Sequence, residues 1–297
     1  RPPRSTLEAD RRQRQMCIRD RTSSVGCVKA EMIVIRTLWR HRALIAVLVR
    51  RDLDARYRAS VLGFFWSLIN PLLLLAVYAV VFTYIFSPRF PGGDPYPLFL
   101  FSGLLPWLFF SGAVLDGSAT LVDNGPLLAK VMCPPELFPT VTVLSHLIHH
   151  LLALPILFLA MAASSMAGLH SFPWTFPLVI VALVPWLLTT GGAVFAISVL
   201  SVHYRDMRDL VGHLLNLLFF SSPIIYSLDG LQVPVALHRI LVLNPLASLV
   251  TVYRDAVFAG RVSPPQLWLT AFAVGGVSWW LGTRVFAAYR ETVVEAV

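Results

Sequence analysis

Apolar positions run through this chain in long uninterrupted blocks, and those blocks set the expected architecture. Stretches free of Asp, Glu, Lys and Arg cover residues 59–88, 95–115, 137–204, 210–228, 240–253 and 262–283. A helix needs about 20 mostly apolar residues to cross the hydrocarbon core of a bilayer. The third block is 68 residues long and contains HSFPWTFP at 170–177, a Pro-punctuated turn with an interfacial Trp, so it divides into two helices. The 14-residue block at 240–253 is too short to cross alone, and with Asn244-Pro245 it reads as re-entrant. The expected fold is therefore all-α and polytopic, with spans at about 61–86, 97–121, 137–166, 173–202, 210–228 and 264–288.

Ahead of the first span, residues 44–63 read LIAVLVRRDLDARYRASVLG, where Ala46, Val49, Leu53 and Tyr57 share one helical stripe. That pattern predicts an amphipathic helix lying on the membrane surface. Arg50 with Asp54, and Asp52 with Arg56, are spaced as i, i+4 pairs, which leaves Arg51, Arg56 and Arg58 to meet phosphate headgroups. The same arginines equally suit a simple positively charged anchor with no ligand.

Composition sharpens the class. The 297 residues are 57% hydrophobic and 13% charged, against about 25% charged residues in soluble domains, so a soluble fold is excluded. Net charge is +8, but 15 of the 24 Lys and Arg precede Ala59. That asymmetry describes membrane topology and not a nucleic-acid-binding face. Counted from Met32, inside segments carry 12 Lys or Arg and outside segments 4 when both termini are cytoplasmic, which is the orientation expected. The inside connections are then 122–136 and 201–209; the outside ones are 87–96, the turn near His170, and 229–260.

Residues 1–31 are arginine-rich without an apolar stretch, and RQRQMCIRDR resembles read-in from a cloning vector or sequencing adapter. They are expected to be a non-native or disordered leader, with Met32 the authentic start and 32–297 a single transmembrane domain; a basic arm on anionic lipid is the alternative. Cys17, Cys27 and Cys133 form no disulfide framework or zinc motif.

Candidate chemistry is sparse. Trp66, Tyr78 and Phe82 belong to an aromatic-rich first span, suited either to sliding sugar rings or to helix packing, and Pro71 within it should kink or locally disturb the helix. The inside loop DNGPLLAKVMCPPELFP contains a short apolar helix that a motor subunit can push, although it equally reads as a Pro-rich connection. His146, His149 and His150 are close on the third span, yet no carboxylate accompanies them in that run, so no metal site is assigned. Asp116 is the sole acidic residue near a span interior, too few for an ion-coupled carrier. GxxxxGK[ST], HExxH and GxSxG are absent, so any ATPase is a separate chain. No GxxxG dimerisation face is evident in a span.

Three segments carry a family resemblance: RRDLDARYRASVLGFFWSLINPLLLLAVYAVVF, then HYRDMRDL with LLNLLFFSSPIIYS, and LNPLASLVTVYRDAVFAG. Their order and spacing resemble the permease subunit of ABC-type exporters of polysaccharide, the group handling O-antigen, teichoic acid and capsule. The resemblance implies a homodimer of six-helix subunits in the inner membrane, working with two copies of a nucleotide-binding ATPase that holds the ATP and Mg, on a lipid-linked, undecaprenyl-diphosphate glycan. It implies a substrate entrance at Arg51, Arg56, Arg58, Leu62 and Gly63, and glycan-facing aromatics at Trp66, Tyr78, Phe82, Phe219, Phe220 and Tyr226. An ATPase-docking region is implied at Asp123, Pro126, Leu127, Lys130, Pro134 and Glu136, and gate helices within 223–260. The chain itself is then a non-catalytic subunit. An exporter of drugs or lipooligosaccharide, and a carrier or membrane enzyme without a motor, remain the alternatives.

Overall fold

Long charge-free sequence can satisfy its backbone in lipid only as helix or closed barrel, and helix is what forms. The computed structural model describes residues 36–56, 65–81, 84, 95–130, 133–204, 206–227, 234, 241 and 243–296. Among them run α1 (Arg42–Arg56), α2 (Trp66–Val80), α3 (Tyr96–Asp123), α4 (Gly125–Lys130) and α5 (Leu137–Met166). A 3-10 turn, Phe176–Leu178, leads into α6 (Val179–His203), followed by α7 (Met207–Ser221) and α8 (Pro245–Arg254). A π-helical turn, Asp255–Ala259, extends α8 to Gly260, whose φ of 65° closes it, and α9 (Pro265–Ala296) completes the chain.

Three of these helices are long and apolar enough to span a bilayer by themselves: Tyr96–Asp123, Leu137–Met166 and Phe176–His203. The third expected span, 137–166, coincides with α5. The 32 residues of α9 have a length of about 48 Å at 1.5 Å per residue, and its second half carries Arg284, Arg290 and Glu291. The first expected span lies partly outside the described residues; within them α2 continues as helix through Pro71.

The fifth run departs from expectation. Helix was expected to residue 228, but α7 stops at Ser221, because Ser222 is extended and Pro223 follows. Irregular backbone inside a membrane domain needs partners, and it has them. Arg254 donates to Pro223 O and Ile224 O, both at 2.7 Å; Tyr96 Oη donates to Ile225 O at 2.7 Å; Asn244 Nδ2 reaches Ser221 Oγ and Ser222 Oγ, each at 3.1 Å.

The tightest helix pair is α6 with α9. A Cβ on Gly192 would collide with the backbone of Ser278 and Trp279, and one on Gly282 with the backbone of Gly192. Ser278 Oγ donates to Thr189 O at 2.9 Å across the same seam. Lipid removes the hydrophobic drive between helices, so close van der Waals approach over small residues takes its place. Around this pair lies the main core, with Phe101, Leu157, Trp186 and Tyr253 fully buried; Trp186 Nε1 donates to Leu249 O at 3.2 Å, which fastens α8 inside the bundle.

Segments expected on one side of the membrane gather at one end of the bundle. Arg51 reaches Asn124, Arg290 reaches Glu136, and the His203 ring meets Tyr289 at 5.2 Å. At the opposite end His170 stacks on Phe258 at 4.6 Å, Thr175 Oγ1 donates to Ala256 O at 2.8 Å, and Ser263 Oγ donates to Asp255 Oδ2 at 2.7 Å.

Candidate functional site

The amphipathic helix forms as α1, with its buried face turned from the stripe expected. Ile45, Leu48 and Val49 are buried against Leu137 and Val141 of α5, whereas Ala46 is exposed. Of the two expected i, i+4 pairs, Asp52–Arg56 forms at 3.1 Å. Arg50 and Asp54 make no ion pair among the described residues; both instead border a groove between α1 and α5.

Arg56 is the centre of a charge cluster that sequence spacing did not reveal. Its Nη2 lies 2.9 Å from Asp116 Oδ2 on α3 and 3.4 Å from His146 Nε2 on α5. His146 Nε2 is itself 2.9 Å from Asp116 Oδ2. The carboxylate missing from the histidine run therefore arrives from a neighbouring helix. Partial burial works against the Arg56 charge, but Asp52 and Asp116 more than offset it and hold the guanidinium above its ordinary pKa. Arg56 was expected to be open to phosphate; in the structure it is engaged by two carboxylates, because α1 packs directly over the α3–α5 contact.

The other two histidines are also spent on the protein. Both ring nitrogens of buried His150 have partners, Leu105 O at 3.3 Å and Tyr253 Oη at 3.2 Å, while His149 Nδ1 lies 2.8 Å from Ser145 O. They line a cavity of about 450 Å³ with Asn70, Pro71 and Phe109. Among the described residues no group of three or more His, Cys, Asp or Glu could hold a metal ion.

Residues expected at a substrate entrance and at a docking region share one polar cleft of about 410 Å³. Asp52 and Arg56 of α1, Asp116 and Asp123 of α3, Asn124, and Arg208 at the start of α7 line it. Arg51 adds a donor to Asn124 Oδ1 at 3.3 Å. α1 thus touches the turn between α3 and α4. Arg58, Leu62, Gly63 and Phe82 lie outside the described residues.

Within the loop expected to dock a motor, Asp123 and Pro126 are exposed and Pro134 is half-buried. Leu127 packs against the cluster of Leu121, Phe138, Phe195 and Phe286, which seats α4 on the bundle, and Lys130 ends that helix. Glu136, expected in the docking set, is only 1% exposed, and its Oε1 accepts from Arg290 Nε at 2.9 Å, which ties α5 to the end of α9.

The expected glycan-facing aromatics separate into two environments. Tyr78 and Phe219 pack on the main core, Phe219 against Trp107 at 5.6 Å. Phe220 is 69% exposed, and Tyr226 Oη donates to its carbonyl at 3.3 Å, holding the non-helical 222–227 segment beside it. Trp66 is half-buried at the start of α2.

Arg254 was not singled out from sequence. It is 7% exposed, its guanidinium carbon lies 3.8 Å from the Phe99 ring centroid, and it holds the end of α7 through the two carbonyl bonds described above. Asp255 beside it is equally enclosed and takes Arg261 Nε at 2.8 Å. Two charges at the edge of an apolar block were the available signal, because buried charges in a membrane domain require built partners.

Three helices long and apolar enough to cross a bilayer, in a fold whose described residues form helices and connecting turns, define the class: a polytopic membrane protein. The family model for the ABC-2 type transporter matches residues 43–258. The chain is 34% identical over 265 residues to the O-antigen export system permease protein RfbA of Myxococcus xanthus, covering 89% of this chain and 99% of that one. It is 29% identical over 220 residues to an RfbA of Klebsiella pneumoniae, covering 74% and 82%, and 24% identical over 223 residues to the polysialic acid transport protein KpsM of Escherichia coli, covering 75% and 84%. The chain belongs to the ABC-2 type transporter family.

Proposed function

We propose that this chain is the membrane permease subunit of an ATP-driven exporter that moves a polysaccharide outward across the inner membrane. The observation that carries the reading is the 34% identity to an O-antigen export permease over nearly the whole of both chains. ATP and Mg belong to a separate ATPase, two copies of which work with a homodimer of this chain. The glycan travels linked to undecaprenyl diphosphate. Six spans cross the membrane, with α8 and its π-helical turn re-entrant, and both termini are cytoplasmic. The gathering of expected inside segments at one end of the bundle and outside segments at the other supports this threading.

The geometry supports the following division of roles. Arg51 and Arg58 remain the entrance cations for the diphosphate, while Arg56, neutralised by Asp52 and Asp116, sets the position of α1. Exposed Phe220, with Tyr226 behind it, is the aromatic pair best placed to meet sugar rings on the channel side. Asp123 at the end of α3, with Pro126 and Leu127 on α4, offers the ATPase its contact.

Affinity isolation from mild detergent, followed by ATPase assay, tests the reading. Co-purification of a Walker-motif ATPase whose hydrolysis is stimulated by lipid-linked glycan is expected. A chain that purifies alone while surface glycan remains normal on its deletion would overturn it.

A further inference from the structure

A single carboxylate oxygen on α3 receives nitrogens from two other helices. Asp116 Oδ2 lies 2.9 Å from Arg56 Nη2 of α1 and 2.9 Å from His146 Nε2 of α5, and the two nitrogens are 3.4 Å apart. The imidazole is seated by the helix it faces. A Cβ on Gly112, one turn before Asp116 on α3, would fall 2.8 Å from its Cε1 and 2.9 Å from its Nδ1. The His146 side chain is 14% exposed and borders the cavity of about 450 Å³, which is roomy enough to bring water to the ring. Arg56 and Asp116 border the polar cleft of about 410 Å³, so the three groups together touch both spaces.

Histidine is the side chain whose charge ordinarily changes between about pH 5 and 8. Neutral, His146 leaves the charge of Asp116 to Arg56. Protonated, it is a second cation on the same oxygen, 3.4 Å from the first, so the carboxylate is shared and the guanidinium repelled. The surrounding charges do not reverse that sign. Asp52, on α1 with Arg56 and 3.1 Å from its Nε, makes no ion pair with His146, so its attraction for an imidazolium acts over a longer distance than the repulsion. The His149 ring lies 6.3 Å from that of His146, and its Nδ1 is 2.8 Å from Ser145 O. Asp123 and Arg208 bring opposite charges to the cleft, while α2 brings only Asn70, Pro71 and Leu74 to the cavity.

We propose that His146 is a pH-sensitive positioning residue for α1, acting through Asp116 on Arg56. Above the range in which imidazole titrates, α1 is pinned to the α3–α5 contact; below it, the pin weakens. Because α1 also carries Arg51, this makes the position of an entrance cation respond to pH, a consequence that rests on the transport function proposed above.

Double electron–electron resonance on the full chain in lipid nanodiscs tests this. Spin labels go on Val47→Cys of α1 and Val122→Cys of α3, both exposed positions, with Cys17, Cys27 and Cys133 replaced by Ser. This parent should show one distance at pH 8 and a growing second population at pH 5.5. The ratio of the two should change by about two- to fivefold, the range of a partly exposed ion pair. His146→Gln should keep the pH 8 distribution at both pH values, and His149→Gln should respond as the parent does. No pH response in the parent, a response that survives His146→Gln, or one abolished equally by His149→Gln overturns the assignment. Should His146→Gln fail to assemble, Arg56→Gln at the end of α1 decides. Without the guanidinium the distribution should not vary with pH, and a parent-like response there overturns the mechanism. Neither ATPase nor glycan takes part, so failure here leaves the transport function standing.

Discussion

Arg56 on α1 and Asp116 on α3 meet at 2.9 Å, so two helices separated by α2 in the sequence are joined by an ion pair. Each side chain keeps about a third of its surface exposed, which places the pair among the modest ones. A double-mutant cycle with Arg56→Ala and Asp116→Ala, read by thermal unfolding in detergent, should return a coupling of about 0.5–1 kcal/mol. The charge swap Arg56→Asp with Asp116→Arg should recover part of the export lost in either single variant. Additive single losses with no recovery would mean that the two act separately.

Breaking the Glu136–Arg290 pair should cost far more. Arg290→Ala leaves a carboxylate that is 1% exposed without its cation, which typically destabilises by about 3–5 kcal/mol. Glu136→Gln removes the buried charge along with the pair and should cost about 1 kcal/mol. In the Glu136→Gln background, Arg290→Ala should become nearly silent in unfolding temperature. Equal and additive losses would refute the pairing as the source.

Arg254→Ala strips the donors from Pro223 O and Ile224 O. A buried carbonyl left unpaired costs about 1–3 kcal/mol, so limited proteolysis within 222–227 should accelerate and unfolding temperature should fall. Arg254→Lys keeps the charge but not the two-pronged geometry and should lie between. Unchanged cleavage in Arg254→Ala would show that Tyr96 and Asn244 hold the segment without it.

On the α6–α9 seam, Gly192→Ala should destabilise by about 1–3 kcal/mol, because its Cβ meets backbone that cannot retreat. Gly276→Ala, with nothing within 4 Å of the new carbon, should stay within about 0.5 kcal/mol of wild type. Unfolding in mild detergent distinguishes the two; similar behaviour of both variants would remove the seam from the account of stability.

Absence of charge made the long helices legible. α5 was readable to both ends because Glu136 and the small-residue run near Met166 bracket an apolar block, and Pro155 inside it did not stop the helix. Local pattern also predicted α1 and α4. What it missed depends on helices distant in sequence. The partner of His146 comes from α3, and no i, i+4 rule reports that. The end of α7 is set by Pro223 together with Arg254 and Asn244 far downstream, so apolar content alone extended the helix too far. Glu136 looked like loop surface because its cation sits near the other end of the chain. For the aromatics, composition identified the residue type, but only packing separates core-bound Phe219 from exposed Phe220.

The glycine seam also bears on how such a permease moves. Two helices whose backbones touch through Gly192, Ser278 and Gly282 cannot slide past one another without opening a void, so α6 and α9 travel as one rigid body. A pair of distance labels placed across this seam should therefore report an unchanged separation while other helices move, and a changed separation would show that the two do not act as a unit.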